Sequence, residues 1–164
     1  MILGLVSWSL LVFYAIHLLD ETLMNGGFVR WVSASFWPAY NERMFFWFNT
    51  GAIGAIVVSN LLFDLFGGHF VILPLFWIAG FAVHGVTVHI FWTARQRSYS
   101  PGLVTSLPYW VLAYLTTRYG YAAGLISGQD FWTGVLAGAG LLGGFLTFGP
   151  TALFPWLERS RRRG

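Results

Sequence analysis

The sequence contains no cysteine and no lysine, and charged residues make up only 9% of its 164 residues. Without cysteine there can be no disulfide, no thiolate metal ligand and no cysteine nucleophile. Every basic side chain is an arginine. What remains is mainly apolar: 57% of the residues are hydrophobic and 20% are aromatic, and the mean hydropathy is +0.66. Because soluble domains do not have this composition, the sequence predicts an integral membrane protein.

Long apolar runs predict an all-α bundle of about five transmembrane helices in a single domain, residues 1–164. A helix needs about 20 apolar residues to cross the hydrocarbon core of a bilayer. We expect the first run to be a retained span, because it lacks the basic start and cleavage site of a signal peptide. The fourth run is the least regular, since Arg118 interrupts it and Pro108 lies near its start. The predicted spans are 3–24, 42–66, 69–93, 104–124 and 131–155.

The arginines predict the orientation of the chain. Cytoplasmic loops of membrane proteins carry an excess of arginine and lysine, and every arginine except Arg118 falls on one side of the predicted spans. This arrangement places the N-terminus outside and the C-terminus in the cytoplasm, in a multi-pass protein of the cell inner membrane. The segment 25–40 mixes aromatic residues with serine and Arg30, which predicts a short helix or loop at the cytoplasmic surface of the membrane.

Four arginines near the C-terminus follow an apolar segment closely. A basic cluster in that position is typical of a cytoplasmic membrane anchor. We therefore expect membrane lipid as a partner and no nucleic acid. The four are Arg159, Arg161, Arg162 and Arg163.

One imidazole and two carboxylates interrupt the first predicted span. His17 and Glu21 are one helical turn apart and share a face, with Asp20 on its flank. Ionisable groups at membrane depth cost roughly 2.5–3.5 kcal/mol each on insertion scales. They persist where they pair, bind an ion or line a wet cavity, so this cluster is the first candidate for a functional site.

Two other spans bring polar residues to the same depth. Glu42 begins the second span, and Asn49 follows on nearly the same face. His89 lies about 6 Å from the cytoplasmic end of the third span, at 1.5 Å per residue. His84 is a turn deeper, but in an α-helix it lies about 140° away around the axis. The two histidines are therefore not expected to face one point equally well.

Imidazole and carboxylate groups together are the ligand set of zinc, iron and manganese sites. A divalent metal ion held by His17, Glu21 and His89 is one interpretation of the cluster. A hydrogen-bonded network that locks helices together, with or without a ligand, is another, and proton handling is a third. The residues expected to support the ligands or bind a substrate are Asp20, Glu42, Asn49, His84 and Tyr99.

The segment Tyr99-Ser100-Pro101-Gly102 predicts a type II turn between the third and fourth spans. Pro101 fixes φ, and Gly102 permits a left-handed conformation. The turn would lie at the cytoplasmic surface. Tyr99 either directs its hydroxyl over the polar cluster or serves as an aromatic residue of the membrane interface.

Taken together, His17-Leu18-Leu19-Asp20-Glu21 and this turn motif resemble the HXXEE-domain family. These are small, mostly bacterial membrane proteins named for a His-x-x-Glu-Glu motif, with a further histidine and a Tyr-x-Pro-Gly motif. The turn motif matches without change, and Glu21 takes the place of the second glutamate. Asp20 stands where the family has its first glutamate, and it is a shorter carboxylate. The resemblance covers about the first two thirds of the chain.

The resemblance implies that the further histidine is His89, with His84 as the alternative. It implies no reaction, because the family has no established activity. We expect an intramembrane His/carboxylate site near the cytoplasmic face that binds a divalent metal and acts on a lipid or other hydrophobic substrate. The alternative is a non-enzymatic membrane protein: a lipid or cofactor binder, or a small accessory subunit. A homo-oligomer and a larger membrane complex both remain open.

Overall fold

The computed structural model describes residues 2–23 and 27–149, and every regular element in these ranges is helical. This confirms the all-α prediction for the described part of the chain. The C-terminal arginines and the predicted end of the last span, 150–155, lie outside the described residues. Within them we number six helices: α1 Ile2–Leu23, α2 Phe28–Ser35, α3 Glu42–Phe66, α4 Gly68–Gln96, α5 residues 103–121, and α6 Gly128–Phe148.

Four of these helices, α1, α3, α4 and α6, are long and apolar enough to cross a membrane. They expose large apolar side chains, among them Leu5 and Leu65, each 73% exposed, which suits a surface in contact with lipid. Helix α5 coincides with the predicted fourth span but is not among the four described helices that meet both criteria. Its polar residues, including Arg118, reduce its hydropathy.

Helix α4 lies at the centre of the described helices. In its most apolar window 56% of the residues are buried, against 28%, 17% and 22% in α1, α3 and α6. It packs against α3, α5 and α6, while α1 packs against α3 and α5. An all-round apolar helix is suited to such a position. Residues on α4 can therefore meet side chains from every neighbouring helix.

Glycine allows α6 to approach α4 closely. A Cβ on Gly134 would lie 2.6 Å from Cβ of Leu75, and a Cβ on Gly138 would collide with the backbone of Phe76. The glycines are four residues apart, the spacing at which small residues let membrane helices meet. A Cβ on either member of the similarly spaced pair Gly140 and Gly144 would meet no atom of the described residues within 4 Å, so of the two pairs the first serves this contact.

The predicted segment 25–40 contains helix α2, which ends before Pro38. Its buried residues Phe28 and Val32 join Trp37, Phe45 and Val88 in one apolar cluster. These residues come from α2, the turn after it, α3 and α4. Helix α2 therefore closes one end of the bundle, next to the polar cluster of α1.

Candidate metal centre

The two histidines of α4 flank a change in helical geometry. Residues Gly85–Ile90 form a π-helix, in which the Phe91 amide donates to the Val86 carbonyl five residues earlier. In such a segment residues five apart lie nearly one above the other. His84 and His89 accordingly have ring centroids only 5.0 Å apart. The expectation that they diverge by about 140° assumed a regular α-helix, and the π-helix is the reason that it is wrong.

Four ionisable side chains from two helices meet at this point. His17, Glu21, His84 and His89 each offer one ligand atom, and these atoms all lie within 4.8 Å of one another. The Glu21 Oε1 atom is 3.4 Å from His17 Nε2 and 3.7 Å from His89 Nε2. His17, Glu21 and His89 are 2%, 4% and 0% exposed. The cluster is therefore buried and compact, and it could hold a metal ion.

Hydrogen bonding fixes the tautomer of His17. The Thr105 hydroxyl donates to Asp20 Oδ2 at 2.8 Å. Its oxygen lies 3.0 Å from His17 Nδ1 and accepts the proton that this nitrogen carries. In the neutral imidazole, Nε2 is then the nitrogen without a proton, and it lies 3.4 Å from Glu21 Oε1. A ring nitrogen held in this way by an outer partner is the usual arrangement of a metal-binding histidine.

Ser100 contacts the other nitrogen of the His89 ring. The Ser100 hydroxyl lies within hydrogen-bond distance of His89 Nδ1, at 3.1 Å, and 3.4 Å from the Pro101 carbonyl. His89 Nε2 is buried without a hydrogen-bond partner among the described residues, and so is Nδ1 of His84. Buried polar atoms without a partner are rare and call for an explanation.

A metal ion would satisfy the groups that the protein leaves unmatched. His17 and His89 both direct Nε2 at the Glu21 carboxylate, and His89 Nε2 has no hydrogen-bond partner among the described residues. A tetrahedral ion with bonds of about 2.0–2.2 Å separates its ligand atoms by roughly 3.3–3.6 Å. The observed 3.4 and 3.7 Å agree with that spacing. The widest separation in the group of four, 4.8 Å, would have to contract around an ion.

The segment Tyr99-Ser100-Pro101-Gly102 packs directly on the centre. Gly102 has φ 91° and ψ −7°, and the Leu103 amide donates to the Ser100 carbonyl at 3.1 Å, which together define a type II turn. A Cβ on Gly102 would lie 2.7 Å from Cε1 of both His17 and His89. Glycine is therefore required here twice, for the backbone conformation and for the space beside the two rings.

Tyr99 lies beside the ligand cluster and contacts it through Asp20. Its hydroxyl donates to Asp20 Oδ2 at 3.4 Å. Burial, together with the charge of Asp20, raises the pKa of Tyr99 above its ordinary value. Tyr99, Asp20, Thr105 and His17 thus form one continuous chain of hydrogen bonds behind the centre.

The two polar residues predicted from the second span differ in position. Asn49 lines a cavity beside the cluster and accepts a 2.5 Å hydrogen bond from the Tyr14 hydroxyl. Glu42 lies in the first turn of α3, is exposed, and does not line that cavity. Its place at the helix N-terminus suits the helix dipole instead.

The cavity has a volume of about 250 Å³ and opens beside the cluster. His17, Glu21 and His84 form part of its wall, whereas His89 lies behind them. Most of the remaining lining is aromatic or aliphatic and comes from α1, α2, α3, α4 and α6. It includes Phe28, Trp37, Phe45, Trp77, Phe81 and Leu142. A polar cluster thus meets an apolar cavity at one wall.

Two contributors could not be recognised in the sequence. Thr105 is one of three threonines in α5, and a helical threonine usually bonds to its own backbone, so Thr105 carries no distinguishing signal. Ser100 lies inside the Tyr-x-Pro-Gly motif at its unspecified position. A resemblance to the motif pointed to this turn, but it did not indicate which atom Ser100 would contact.

The fold and the site define a helical protein with membrane-capable helices and a buried His/Glu group able to hold a metal ion. The chain belongs to the family described as protein of unknown function with HXXEE motif, whose model matches residues 8–117. That range contains all four possible ligands as well as Thr105 and the turn motif. No curated protein matches the chain. No solved structure matches it either.

Proposed function

We propose that this protein is a multi-pass inner-membrane protein that holds a divalent metal ion within its helix bundle and acts on a lipid or other hydrophobic substrate. The observation that carries the proposal is the convergence of two imidazole nitrogens on the buried Glu21 carboxylate, beside a mainly apolar cavity. A bound divalent ion supplies Lewis-acid chemistry to a group that coordinates it. The cavity supplies the apolar binding surface.

Zinc, iron and manganese are the ions that suit these ligands. Histidine and carboxylate together bind all three, and the chain has no thiolate to favour a softer ion. Three protein ligands with an open position are typical of catalytic metal sites. His17, Glu21 and His89 would form such a set, with His84 as a fourth group that faces the cavity.

The proposed topology has five spans, with the N-terminus outside and the C-terminus in the cytoplasm. Helix α5 packs against both α1 and α4, which supports its place in the bundle as the remaining span. Arg30, Arg43, Arg95 and Arg97 are exposed. Arg30, Arg43 and Arg95 lie close to the ends of α2, α3 and α4, and Arg97 follows α4, all on the side of the centre. This asymmetry favours a centre near the cytoplasmic face.

Elemental analysis of the purified protein tests the metal assignment. We expect stoichiometric metal in the wild type and none in a His17→Ala, Glu21→Gln double variant, because that variant lacks two of the ligands. His69→Ala is the matched control, since its side chain is 85% exposed and pairs with Asp130, not with the centre. It should retain full metal content.

The alternative, a network that only locks helices together, gives a different result. Wild-type protein purified without chelator would then carry no metal. Each substitution would cost only about 0.6–2 kcal/mol, the usual scale of hydrogen bonds between membrane helices. Full metal content in the double variant would reject the assignment of these residues as ligands.

A further inference from the structure

The cavity is lined mainly by apolar side chains, and the metal centre forms its His/carboxylate side. Asn49, Tyr14, Tyr40 and Thr147 add uncharged polar groups to the lining. Phe28, Trp37, Phe45 and Phe81 line it together with aliphatic residues. His17, Glu21 and His84 form its ionisable wall. A molecule that fits both parts has a hydrocarbon body and one polar end. The cavity therefore selects for an amphiphile, oriented with its polar end at the ion.

The charge of the metal centre limits which polar group the bound molecule can carry. A divalent ion beside the single carboxylate of Glu21 leaves a net charge of about +1, which one negative charge would neutralise. None of the residues that line the cavity in the described part of the chain is an arginine, and the sequence contains no lysine. Phosphate groups are usually bound with help from such cations. A singly charged carboxylate therefore fits better than a phosphate.

The volume of the cavity limits how much of the ligand's hydrocarbon part it can enclose. About 250 Å³ is below the roughly 300–1,000 Å³ of pockets that enclose a drug-sized ligand, so the cavity holds the head and first part of a single chain. Phe48 on α3 and Phe145 on α6 both line it and are each 43% exposed. The cavity thus reaches the outer surface between these two helices, where the rest of a chain would lie among lipid chains.

We infer that the ligand of this site is a long-chain fatty acid, bound with its carboxylate on the metal ion and its chain leaving the bundle between α3 and α6. The inference rests on the proposed function and adds the substrate class. A phospholipid, which has two chains and a phosphate, is the competitor that the experiment must separate from it.

Binding of oleic acid to delipidated, cobalt-loaded protein in detergent tests the inference. We expect oleate to alter the visible absorption of the bound cobalt, and methyl oleate to bind roughly tenfold or more weakly, since it lacks the charge that the ion attracts. Removing the metal with a chelator should abolish this preference. Dioleoyl phosphatidate should compete poorly with oleate.

Two glycines of α3 provide matched variants for the cavity. Gly51 lines the cavity, and a Cβ on Gly51 or on Gly54 meets nothing within 4 Å in the described part of the chain, so both variants should fold with a larger residue. Gly51→Trp should weaken oleate binding roughly tenfold or more by filling the entrance. Gly54→Trp, one turn away and outside the lining, should bind as wild type. Both variants should retain stoichiometric cobalt.

Three outcomes would overturn the inference: equal affinity for oleate and methyl oleate, preference for phosphatidate over oleate, or equal loss in the two glycine variants. Each of them leaves the metal centre intact when elemental analysis finds stoichiometric metal. Absence of metal in the wild type would instead reject the proposed function itself. The two failures are therefore distinguishable.

Discussion

Gly102→Ala tests most directly whether the turn motif holds the centre together. The added Cβ would lie 2.7 Å from Cε1 of His17 and of His89, and 3.1 Å from Cγ of Glu21. Carbon atoms pack at about 3.5–4.0 Å. The two imidazoles would have to retreat from the turn by roughly 1 Å, a shift that separates them from the geometry of a shared ion.

The expected effect has two parts. An alanine in the left-handed region costs about 1–2 kcal/mol of folding free energy. Displacing the ligands should weaken metal binding by roughly 10–100-fold, the scale seen when the support of a metal ligand is lost. At a fixed excess of metal, that loss removes a further 1.4–2.7 kcal/mol or so of metal-dependent stabilisation. The total is about 2–5 kcal/mol.

Gly124→Ala is the matched control. Gly124 also has a positive φ, 72°, but a Cβ there would meet nothing within 4 Å among residues 2–23 and 27–149. It follows the far end of α5, so this variant should lose only the cost of backbone strain. Metal content and thermal unfolding, each with and without chelator, measure both parts. If Gly102→Ala binds metal as tightly as wild type and unfolds like Gly124→Ala, the turn does not position the ligands.

Two further predictions concern the hydrogen bonds behind the centre and the orientation of the chain. Thr105→Val should lower metal affinity roughly 10–100-fold, because His17 loses the acceptor of its Nδ1 proton. Thr105→Ser should restore the affinity. The control is Thr117→Val, which should have no effect, because the Thr117 hydroxyl donates to the backbone of its own helix. Since the chain has no cysteine, single cysteines report topology cleanly: Phe66→Cys should react with an impermeant maleimide in intact cells, and Ser98→Cys only after permeabilisation. The reverse pattern would contradict the proposed orientation.

The sequence was sufficient to predict that His17, Glu21 and His89 would converge. His17 and Glu21 share a helix face because they are four residues apart. The length of the apolar runs and the placement of the arginines put these two residues at the same depth as His89. Both signals can be read from short stretches of the sequence. The role of His84 could not be predicted in the same way. It depends on a π-helical turn, and nothing in Gly85–Ile90 distinguishes that turn from an ordinary α-helix by composition.

Tertiary contacts account for the other differences between the site predicted from the sequence and the site in the structure. Thr105 is 88 residues from His17 in the chain, so the bond between them follows from how α5 packs on α1. Gly102 was recognisable as a turn residue, but its contact with both imidazoles depends on the same packing. Glu42 and Asn49 share a helix face in sequence, but Glu42 lies in the exposed first turn of α3, and of the two only Asn49 reaches the cavity.

The π-helix between His84 and His89 makes the number of residues between them part of the chemistry. A π-helical turn holds one residue more than the α-helical turn that it replaces. Deleting a single residue between the two histidines would restore a regular α-helix, in which they are four residues apart and still share a face. Straightening the segment at its present length would instead turn the two imidazoles about 140° apart, and His89 would leave Glu21. The spacing of five residues and the π-helical turn therefore compensate each other, and related chains that carry the histidine motif are best compared by both together.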